Sequence, residues 1–228
     1  MENQDIRTIS VIGENAFHKL NNAHVVVFGV GGVGGHCIDA LCRAGIKNLT
    51  IVDHDVVSIS NLNRQFVANY QTIGMKKVEV MAAHLKNIRN DVNVRILDTF
   101  YLPDSAMDDL FEHCDYIVDC IDTITAKIDL AIKAQDYHIP MISCMGTGNK
   151  KHPELLKISD IYNTKICPLC KVMRRELKKR QVKNLKVVYS EEMPQTSNLD
   201  NPRTPGSISF VPATAGLLIA SVVVNELI

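Results

Sequence analysis

Three glycines of this 228-residue sequence, Gly29, Gly31 and Gly34, have the spacing of a loop that binds nucleotide phosphates. They lie in the stretch VFGVGGVGGH (27–36), where a short apolar run ends and a helical pattern begins. The first glycine permits a tight turn, the second lets phosphate approach the backbone, and the third brings helix against strand. A further glycine, Gly32, lies between the second and the third. The helix would present free N–H groups to an anion. The motif alone suits an NAD enzyme as well as an ATP enzyme.

A cluster of polar residues after the second predicted strand favours a triphosphate over NAD. The stretch DHDVVSISNLNRQF supplies six polar side chains, namely Asp53, Asp55, Asn61, Asn63, Arg64 and Gln65. Asp53 ends the strand, where its carboxylate can accept hydrogen bonds from ribose hydroxyls. The stretch GMKKVEVM then places Lys76 and Lys77 at a helix start. A triphosphate carries about two more negative charges than a pyrophosphate, so Arg64 and Lys77 meet a need for cationic donors that an NAD site lacks.

A carboxylate for the divalent cation that accompanies ATP follows a later buried strand. The stretch DCIDTITAK places Asp119 at the end of that strand and Asp122 in the turn beyond it. Asp122 is the predicted ligand of Mg²⁺, whereas Asp119 is assigned to the strand end. Ligands of an open α/β sheet bind along the carboxyl ends of the strands. We therefore expect Asp122 to converge there with the glycine loop and with the turn SCMGTG (143–148).

Short β-branched runs alternate with longer stretches of helical periodicity, which predicts βαβ units and a parallel sheet. The predicted strands are 24–29, 49–53, 92–97, 116–119, 141–144, 155–158 and 207–211. The predicted helices are 32–44, 76–89, 126–138, 168–183 and 213–227. Residues 190–206 are expected to form a mobile loop.

The fold class is therefore α/β, with a Rossmann-like, doubly wound, mainly parallel sheet and helices on both faces. We expect one domain over residues 1–228, with the nucleotide-binding part at about 22–148 and a C-terminal elaboration at about 151–228.

The composition is that of a globular protein, with 25 Lys and Arg, 25 Asp and Glu, and 46% apolar residues. Seven cysteines, an odd number without the spacing of a disulfide framework, indicate a reducing, cytoplasmic compartment. The longest apolar stretch, near 213–228, is too short to span a bilayer and contains Asn225 and Glu226. Membrane insertion is therefore not expected.

One segment departs from the even charge balance. Residues 165–186 hold nine Lys and Arg, opposed only by Glu176. On a helix, one face would carry Lys171, Arg174, Arg175 and Lys178, with Met173 and Leu177 opposite. A solvated amphipathic helix shows the same pattern, but such a stripe in an otherwise acidic chain favours a polyanion. The four basic residues are therefore the predicted nucleic-acid contacts.

Taken in order, the stretches GVGGVGG, DHDVVSISNLNRQF, GMKKVEVM and DCIDTITAK resemble the adenylation domain of the E1-like (ThiF/MoeB/HesA) superfamily. The later stretches DIYNTKICPLCKVMRRELKKR, VVYSEEMPQ and GSISFVPATAGLLIASVVVNEL are similar to its tRNA threonylcarbamoyladenosine dehydratases. The resemblance implies an ATP-dependent enzyme, usually a homodimer. Such an enzyme adenylates the threonylcarbamoyl carboxylate on adenosine 37 of certain tRNAs and cyclises it to cyclic t6A.

The resemblance also implies the roles of individual residues. ATP and Mg²⁺ are the implied cofactors, Arg64 and Lys77 would stabilise charge on the phosphates, and Asp122 would hold the metal. Family members usually carry an arginine near the N-terminus that reaches the partner subunit's phosphates. Here Ser10 aligns with it, and Arg7 lies three residues earlier.

A second departure concerns cysteine. Related enzymes that activate sulfur carriers bind zinc with two CxxC pairs, whereas this sequence has one pair, Cys167 and Cys170, and no cysteine after it. A half-site cannot close a tetrahedral zinc centre within one chain, so structural zinc is not expected.

Three other functions remain open from the sequence. The chain could activate the C-terminus of a ubiquitin-like sulfur carrier, with a sulfur-relay or desulfurase partner, although residues 190–206 lack the reactive cysteine that such enzymes can carry. It could be an NAD-dependent oxidoreductase, which would leave Arg64, Lys77 and Asp122 unexplained. It could also be a non-catalytic module that senses nucleotide or binds tRNA.

Overall fold

A computed structural model of the chain describes residues 4–195 and 205–228. The strands are β1 His24–Phe28, β2 Asn48–Val52, β3 Asn93–Leu97, β4 Tyr116–Asp119, β5 Met141–Cys144, β6 Leu156–Asp160 and β7 Lys186–Ser190. The helices are α1 Ile6–Ile12, α2 Glu14–Asn22, α3 Gly34–Ala44, α4 Lys77–Ile88, α5 Asp109–Glu112, α6 Ile124–Asp136, α7 Pro168–Lys179 and α8 Phe210–Leu227.

Within the described residues, all seven strands belong to one sheet, in the order β3-β2-β1-β4-β5-β7-β6. Every neighbouring pair is parallel except β6 and β7, which pair antiparallel at one edge. The chain builds outward from β1 to β3 and then crosses to β4, so the strand order reverses between β1 and β4. Ligands of doubly wound sheets bind beyond the carboxyl ends of the strands at such a point.

Helices cover both faces of the sheet. On one face Val25 and Val27 of β1 belong to an apolar cluster with α3, α4 and α8. On the other face Val26 and Phe28 belong to a cluster with α5, α6 and α7. Strands that are buried on both faces must be apolar at successive positions, which is why HVVVF and NLTIV are nearly continuous apolar runs.

The predicted fold class is confirmed, and the first six predicted strands are present with ends shifted by at most two residues. The strand predicted at 207–211 is wrong, because residues 205–208 have no regular structure and α8 begins at Phe210. The sheet position beside β5 is taken by β7, which the sequence patterns did not predict. Of the loop predicted at 190–206, Ser190 ends β7, and residues 196–204 lie outside the described part of the chain.

The C-terminal helix α8 packs along α3. The expectation that this apolar stretch is too short to span a bilayer is wrong, because by length and composition α8 could cross a membrane, a test that the core helix of a soluble protein also passes. One face of α8 is fully buried, at Val211, Ala215, Ile219 and Val223. These contacts place α8 in the core of this fold.

Candidate active site

The glycine loop joins β1 to α3 and has the backbone geometry that its glycines predict. Gly29 has a φ angle of 96°, a conformation that L side chains rarely adopt. A Cβ atom on Gly34 would lie 1.8 Å from the carbonyl oxygen of Gly29, so only glycine allows this approach of helix to strand. Beside Gly31, by contrast, a Cβ atom would meet only Nε2 of Gln65, at 4.0 Å. The loop is fixed at both ends and open at Gly31.

A first cavity of about 240 Å³ opens beside this loop, at the carboxyl ends of β1, β2 and β4. The predicted site residues that line it are Gly29, Gly31, Gly32, Asp53, Asp55, Arg64, Gln65, Lys77 and Asp122. Gly34, Asn61 and Asn63 lie outside its walls. Residues from separate stretches of the sequence thus meet at one edge of the sheet.

The carboxylate of Asp53 fixes the glycine loop to the end of β2. Its Oδ2 accepts a hydrogen bond from the N–H of Val30 at 2.7 Å, and its Oδ1 accepts one from the N–H of Asp55 at 2.8 Å. Each carboxylate oxygen has a second lone pair, so Asp53 retains the capacity to accept a ribose hydroxyl.

A short turn after β2 presents Arg64 to the cavity, and two asparagines support that turn. The side-chain oxygen of Asn61 accepts a hydrogen bond from the N–H of Ser58 at 3.0 Å, and Asn61 itself is buried. Asn63 donates from Nδ2 to the carbonyl oxygen of Ser207 at 2.9 Å and accepts from Nη1 of Arg64 at 2.8 Å. Both asparagines support the turn that carries Arg64 and lie outside the walls of the first cavity, so their predicted contact with the nucleotide stays a prediction.

Gln65 carries an unsatisfied polar atom at the cavity wall. Its Oε1 is buried and has no hydrogen-bond partner among the described residues. A buried polar atom left without a partner costs about 1–3 kcal/mol. The position therefore favours a ligand that brings a donor, such as a ribose hydroxyl.

Lys77 begins α4 and brings a buried ammonium group to the cavity. Its side chain is 5% exposed, and its Nζ lies 2.6 Å from Oδ2 of Asp55. The neighbouring Lys76 pairs instead with Asp98, and neither of these residues lines the first cavity. Of the two lysines, Lys77 is the one that lines the first cavity.

Asp122 lies exposed in the turn between β4 and α6, where it lines the first cavity. Across residues 4–195 and 205–228, no hydrogen bond or ion pair engages its carboxylate. A free carboxylate beside a polyphosphate site suits a hard divalent cation, which takes oxygen ligands and shares them with phosphates. The ligand atoms of Asp53, His54 and Asp55 also lie within 4.8 Å of one another. Asp53 and Asp55 already bond to protein groups, so Asp122 fits Mg²⁺ better.

A second cavity, of about 280 Å³, adjoins the first. The two share wall residues, namely Val33, Arg64, Cys120, Ile121, Asp122, Thr147 and Ser207. The remaining walls come from the turn after β5, residues 205–207, and the side chains of Leu169 and Lys127. A substrate in the second cavity would therefore lie against a nucleotide in the first.

Some wall residues carried no signal in the sequence. Thr99, Phe100 and Tyr101 follow β3 and line the first cavity, as does Pro212 of α8. The ring of Phe100 packs edge-on against His54, with ring centroids 4.5 Å apart. No motif marks the segment after β3, and its position at the carboxyl end of a strand was the only available signal.

The basic helix α7 presents most of its predicted nucleic-acid contacts to solvent. Lys171, Arg175 and Lys178 are exposed. Arg174 is partly buried and donates from Nη1 to the carbonyl oxygen of Thr164 at 2.9 Å. The guanidinium of Arg174 therefore binds the turn before α7. The helical pattern of the sequence did not indicate this contact.

Cys167 and Cys170 lie at the first turn of α7, and both are buried. The hydrogen bond from the Cys170 thiol lowers the pKa of Cys167, and N–H groups at the helix start act in the same direction. The same bond, together with burial, raises the pKa of Cys170. Among the described residues, no group of three or more metal-binding side chains includes this pair.

Arg7 and Ser10, on α1, are exposed and line neither cavity.

Comparison with known proteins gives matches over almost the whole chain. The family profile described as "ThiF family" matches residues 3–228. A tRNA threonylcarbamoyladenosine dehydratase of Bacillus subtilis is 35% identical over 100% of this chain and 96% of its own length. The Escherichia coli protein of that name is 32% identical over 91% of this chain and 79% of its own length.

A solved structure agrees with these sequence matches. The crystal structure of E. coli tRNA N6-threonylcarbamoyladenosine dehydratase, TcdA, in complex with ATP superposes with a TM-score of 0.91 at 28% identity. The match covers 98% of this chain and 93% of that chain. The similarity therefore includes α7 and α8 as well as the glycine loop.

Proposed function

Because the chain belongs to the ThiF family, we propose that it is an ATP-dependent tRNA threonylcarbamoyladenosine dehydratase. It adenylates the threonylcarbamoyl carboxylate of t6A at position 37 of tRNA and drives its cyclisation to cyclic t6A. The observation that carries this proposal is the pair of joined cavities, whose shared wall includes Arg64 and Asp122. The named relatives from B. subtilis and E. coli support it, since they match at least 91% of this chain.

ATP is the substrate of the first cavity. Its phosphates lie beside Gly31 and the start of α3, where backbone N–H groups favour an anion. Its ribose meets Asp53 and the unsatisfied Oε1 of Gln65.

Adenylation joins a carboxylate oxygen to the α-phosphorus of ATP and releases pyrophosphate. Arg64 and Lys77 stabilise the negative charge that develops on the phosphates, which is electrostatic catalysis by positioned cations. Lys77 exchanges Asp55 for a phosphate oxygen when ATP enters. Asp122 is the residue that would hold Mg²⁺, and the bound ion would neutralise phosphate charge.

Cyclisation follows in the second cavity. An internal nucleophile of the modified nucleoside attacks the acyl carbon and expels AMP, so the two steps together remove the elements of water from the nucleoside. The chemistry needs no protein nucleophile. Burial also raises the pKa of Cys120 well above its ordinary value and keeps this wall residue a thiol rather than a thiolate.

The tRNA contacts the exposed cations of α7. Lys171, Arg175 and Lys178 face solvent on a helix whose Leu169 lines the second cavity. Phosphate contact is the expected mode, because few aromatic side chains accompany these cations. We further propose that the protein acts as a homodimer in the cytoplasm, with Arg7 as the candidate for a contact to the partner's phosphates.

The test is the release of AMP and pyrophosphate from ATP and Mg²⁺, in the presence of tRNA that carries uncyclised t6A. Wild type is compared with Arg64→Ala and with Arg43→Ala, a control arginine that is exposed and pairs with Asp39. Release that needs both tRNA and Arg64 supports the proposal, and mass spectrometry of the nucleoside identifies the product. Release of AMP and pyrophosphate with a ubiquitin-like carrier instead of tRNA would identify a sulfur-carrier adenylyltransferase. Tight binding of ATP without any release of AMP would identify a non-catalytic module.

A further inference from the structure

Lys127 carries a fully buried ammonium group beneath the second cavity. Its side chain is 1% exposed, and that of its partner Asp119, at the end of β4, is 0% exposed. Nζ of Lys127 donates to Oδ2 of Asp119 at 2.9 Å, to Oγ of Ser143 at 3.2 Å and to the carbonyl oxygen of Cys144 at 2.7 Å. All three donors of the ammonium group are therefore used.

The groups that accept from Lys127 lie at the ends of β4 and β5, and the turns that follow these strands form walls of the second cavity. Oδ1 of Asp119 also accepts a hydrogen bond from the N–H of Ile121 at 3.2 Å. Ile121 and Asp122 line both cavities, and Cys144 leads into the turn after β5 that forms another wall of the second cavity. Lys127 thus links the end of β4 to the end of β5, at the points where the two turns begin.

Stability alone does not account for an ion pair at this position. Transferring a lysine and an aspartate from water to the protein interior costs free energy, and their mutual attraction does not always offset that cost. Apolar residues can often replace such a buried pair without a loss of stability. Other buried positions of α6 are apolar, including Leu130, Ala131 and Ala134. Among the buried positions of α6, all of which the structure describes, Lys127 is the one charged residue.

We propose that Lys127 is a positioning residue for adenylation, which keeps Asp122 and the turn after β5 in a fixed relation around the second cavity. The inference rests on the proposed function, in which a carboxylate in that cavity attacks the α-phosphorus. Ser143 also donates from Oγ to Oδ2 of Asp119, and β4 pairs directly with β5, so the two strand ends stay together without Lys127. The turns beyond them lose the link from Asp119 to the carbonyl oxygen of Cys144 and become freer to shift against each other. A misplacement of about 1 Å at a reacting site costs roughly 10²-fold in rate. ATP binding persists, because the first cavity retains Gly31, Arg64 and Lys77.

The test variant is Lys127→Met combined with Asp119→Asn, so that neither charge is left buried without its partner. The control is Lys133→Met, the same change in the same helix at a residue whose side chain pairs with Asp108 near the surface. We expect the double variant to keep the KM for ATP and to lose about 10²-fold in kcat for AMP release. The control should match wild type in both constants. A wild-type kcat in the folded double variant, or equal losses in ATP affinity and rate, would overturn the inference.

Hydrogen exchange measured by mass spectrometry tests the positioning without turnover. In the double variant we expect faster hydrogen exchange at the amides of 144–148. The exchange rate at 120–123 should rise less, because the side-chain oxygen introduced by Asp119→Asn can still accept a hydrogen bond from the N–H of Ile121. The amides of β1 and β2 should keep wild-type protection. Unchanged exchange at 144–148 would overturn the inference. If the wild-type protein bound ATP but released no AMP with tRNA, the proposed function would be overturned instead. The hydrogen-exchange result at 144–148 would then be the remaining test of whether Lys127 positions these segments.

Discussion

The ammonium group of Lys77 lies 2.6 Å from a carboxylate oxygen of Asp55 at the wall of the first cavity. The lysine side chain is buried, whereas half of the aspartate side chain is exposed. The aspartate can therefore withdraw into solvent while the lysine stays in place. Asp55 thus balances the charge of a buried cation, and in the proposed function a phosphate group replaces it.

Replacing Lys77 is therefore expected to impair the use of ATP directly. Lys77→Met removes a cation positioned at the phosphates, and we expect kcat/KM for ATP to fall by about 10²-fold. Lys76→Met is the matched control, because Lys76 pairs with Asp98 outside the cavity. Pyrophosphate release with tRNA measures both variants, and similar losses in the two would contradict the assignment of Lys77.

Two glycines of the loop are expected to respond differently to the same added methyl group. Gly34→Ala places a Cβ atom 1.8 Å from the carbonyl oxygen of Gly29, so the loop must move and both the melting temperature and ATP binding should fall. Gly31→Ala has room for its methyl group and should melt as wild type does, but with weaker ATP affinity. Thermal melting and calorimetric titration with ATP distinguish the two, and unchanged ATP affinity in Gly31→Ala would place the phosphates elsewhere.

The exposed face of α7 is expected to determine how salt affects tRNA binding. Lys171→Gln combined with Lys178→Gln removes two cations and should lower the slope of log Kd against log salt by roughly one per lysine. The control combines Lys19→Gln with Lys86→Gln, which are exposed on α2 and α4. Binding is measured by filter retention of labelled tRNA over a range of salt concentrations. An equal change in slope for the control would show that no particular surface binds the tRNA.

Glu176 is expected to stabilise the fold in a manner that depends on pH. Hydrogen bonds from Arg180, Lys179 and Arg175 lower its pKa from 4.5 to about 2. A lowered pKa in the folded state means that the stabilisation is complete above pH 4.5 and is lost as the pH falls toward about 2. The difference in melting temperature between wild type and Glu176→Gln should therefore shrink across that interval. High salt at neutral pH should also reduce this difference in melting temperature, because the three cations are exposed and salt screens their charges. If the difference did not change with pH or with salt, the ion pairs of Glu176 would not be its source.

The arrangement of β1 to β5 could be predicted from the sequence because local pattern and long-range order agree there. Four of these strands are largely apolar runs, and β3 (NVRIL) alternates polar and apolar residues at the sheet edge. A helical pattern lies before or after each strand, and parallel sheets require that alternation. The C-terminal part could not be predicted in this way. Residues 207–211 alternate as a strand does, but β7 occupies the place beside β5, and only the assembled sheet shows which segment fits.

The candidate site could be predicted where charged residues lie next to a motif. Arg64 and Asp122 lie in segments that follow strand ends, and Lys77 begins the helix after the segment of Arg64, so their convergence follows from the topology of a parallel sheet. Lys127 could not be found in this way, because a lysine in a helical pattern indicates solvent exposure. Its position in register with Leu130 and Ala134, both buried, was the one available signal.

The walls of the first cavity also bear on how the protein acquires its activity during synthesis. Most of them come from residues 28–123, but Thr147, Ser207 and Pro212 belong to segments that the ribosome makes much later. A nascent chain that has just completed β4 has the glycine loop and Arg64 but not the side of the cavity formed by α8. Domains fold as units during translation, so the fully walled site appears only after the segment through Pro212 has emerged and docked.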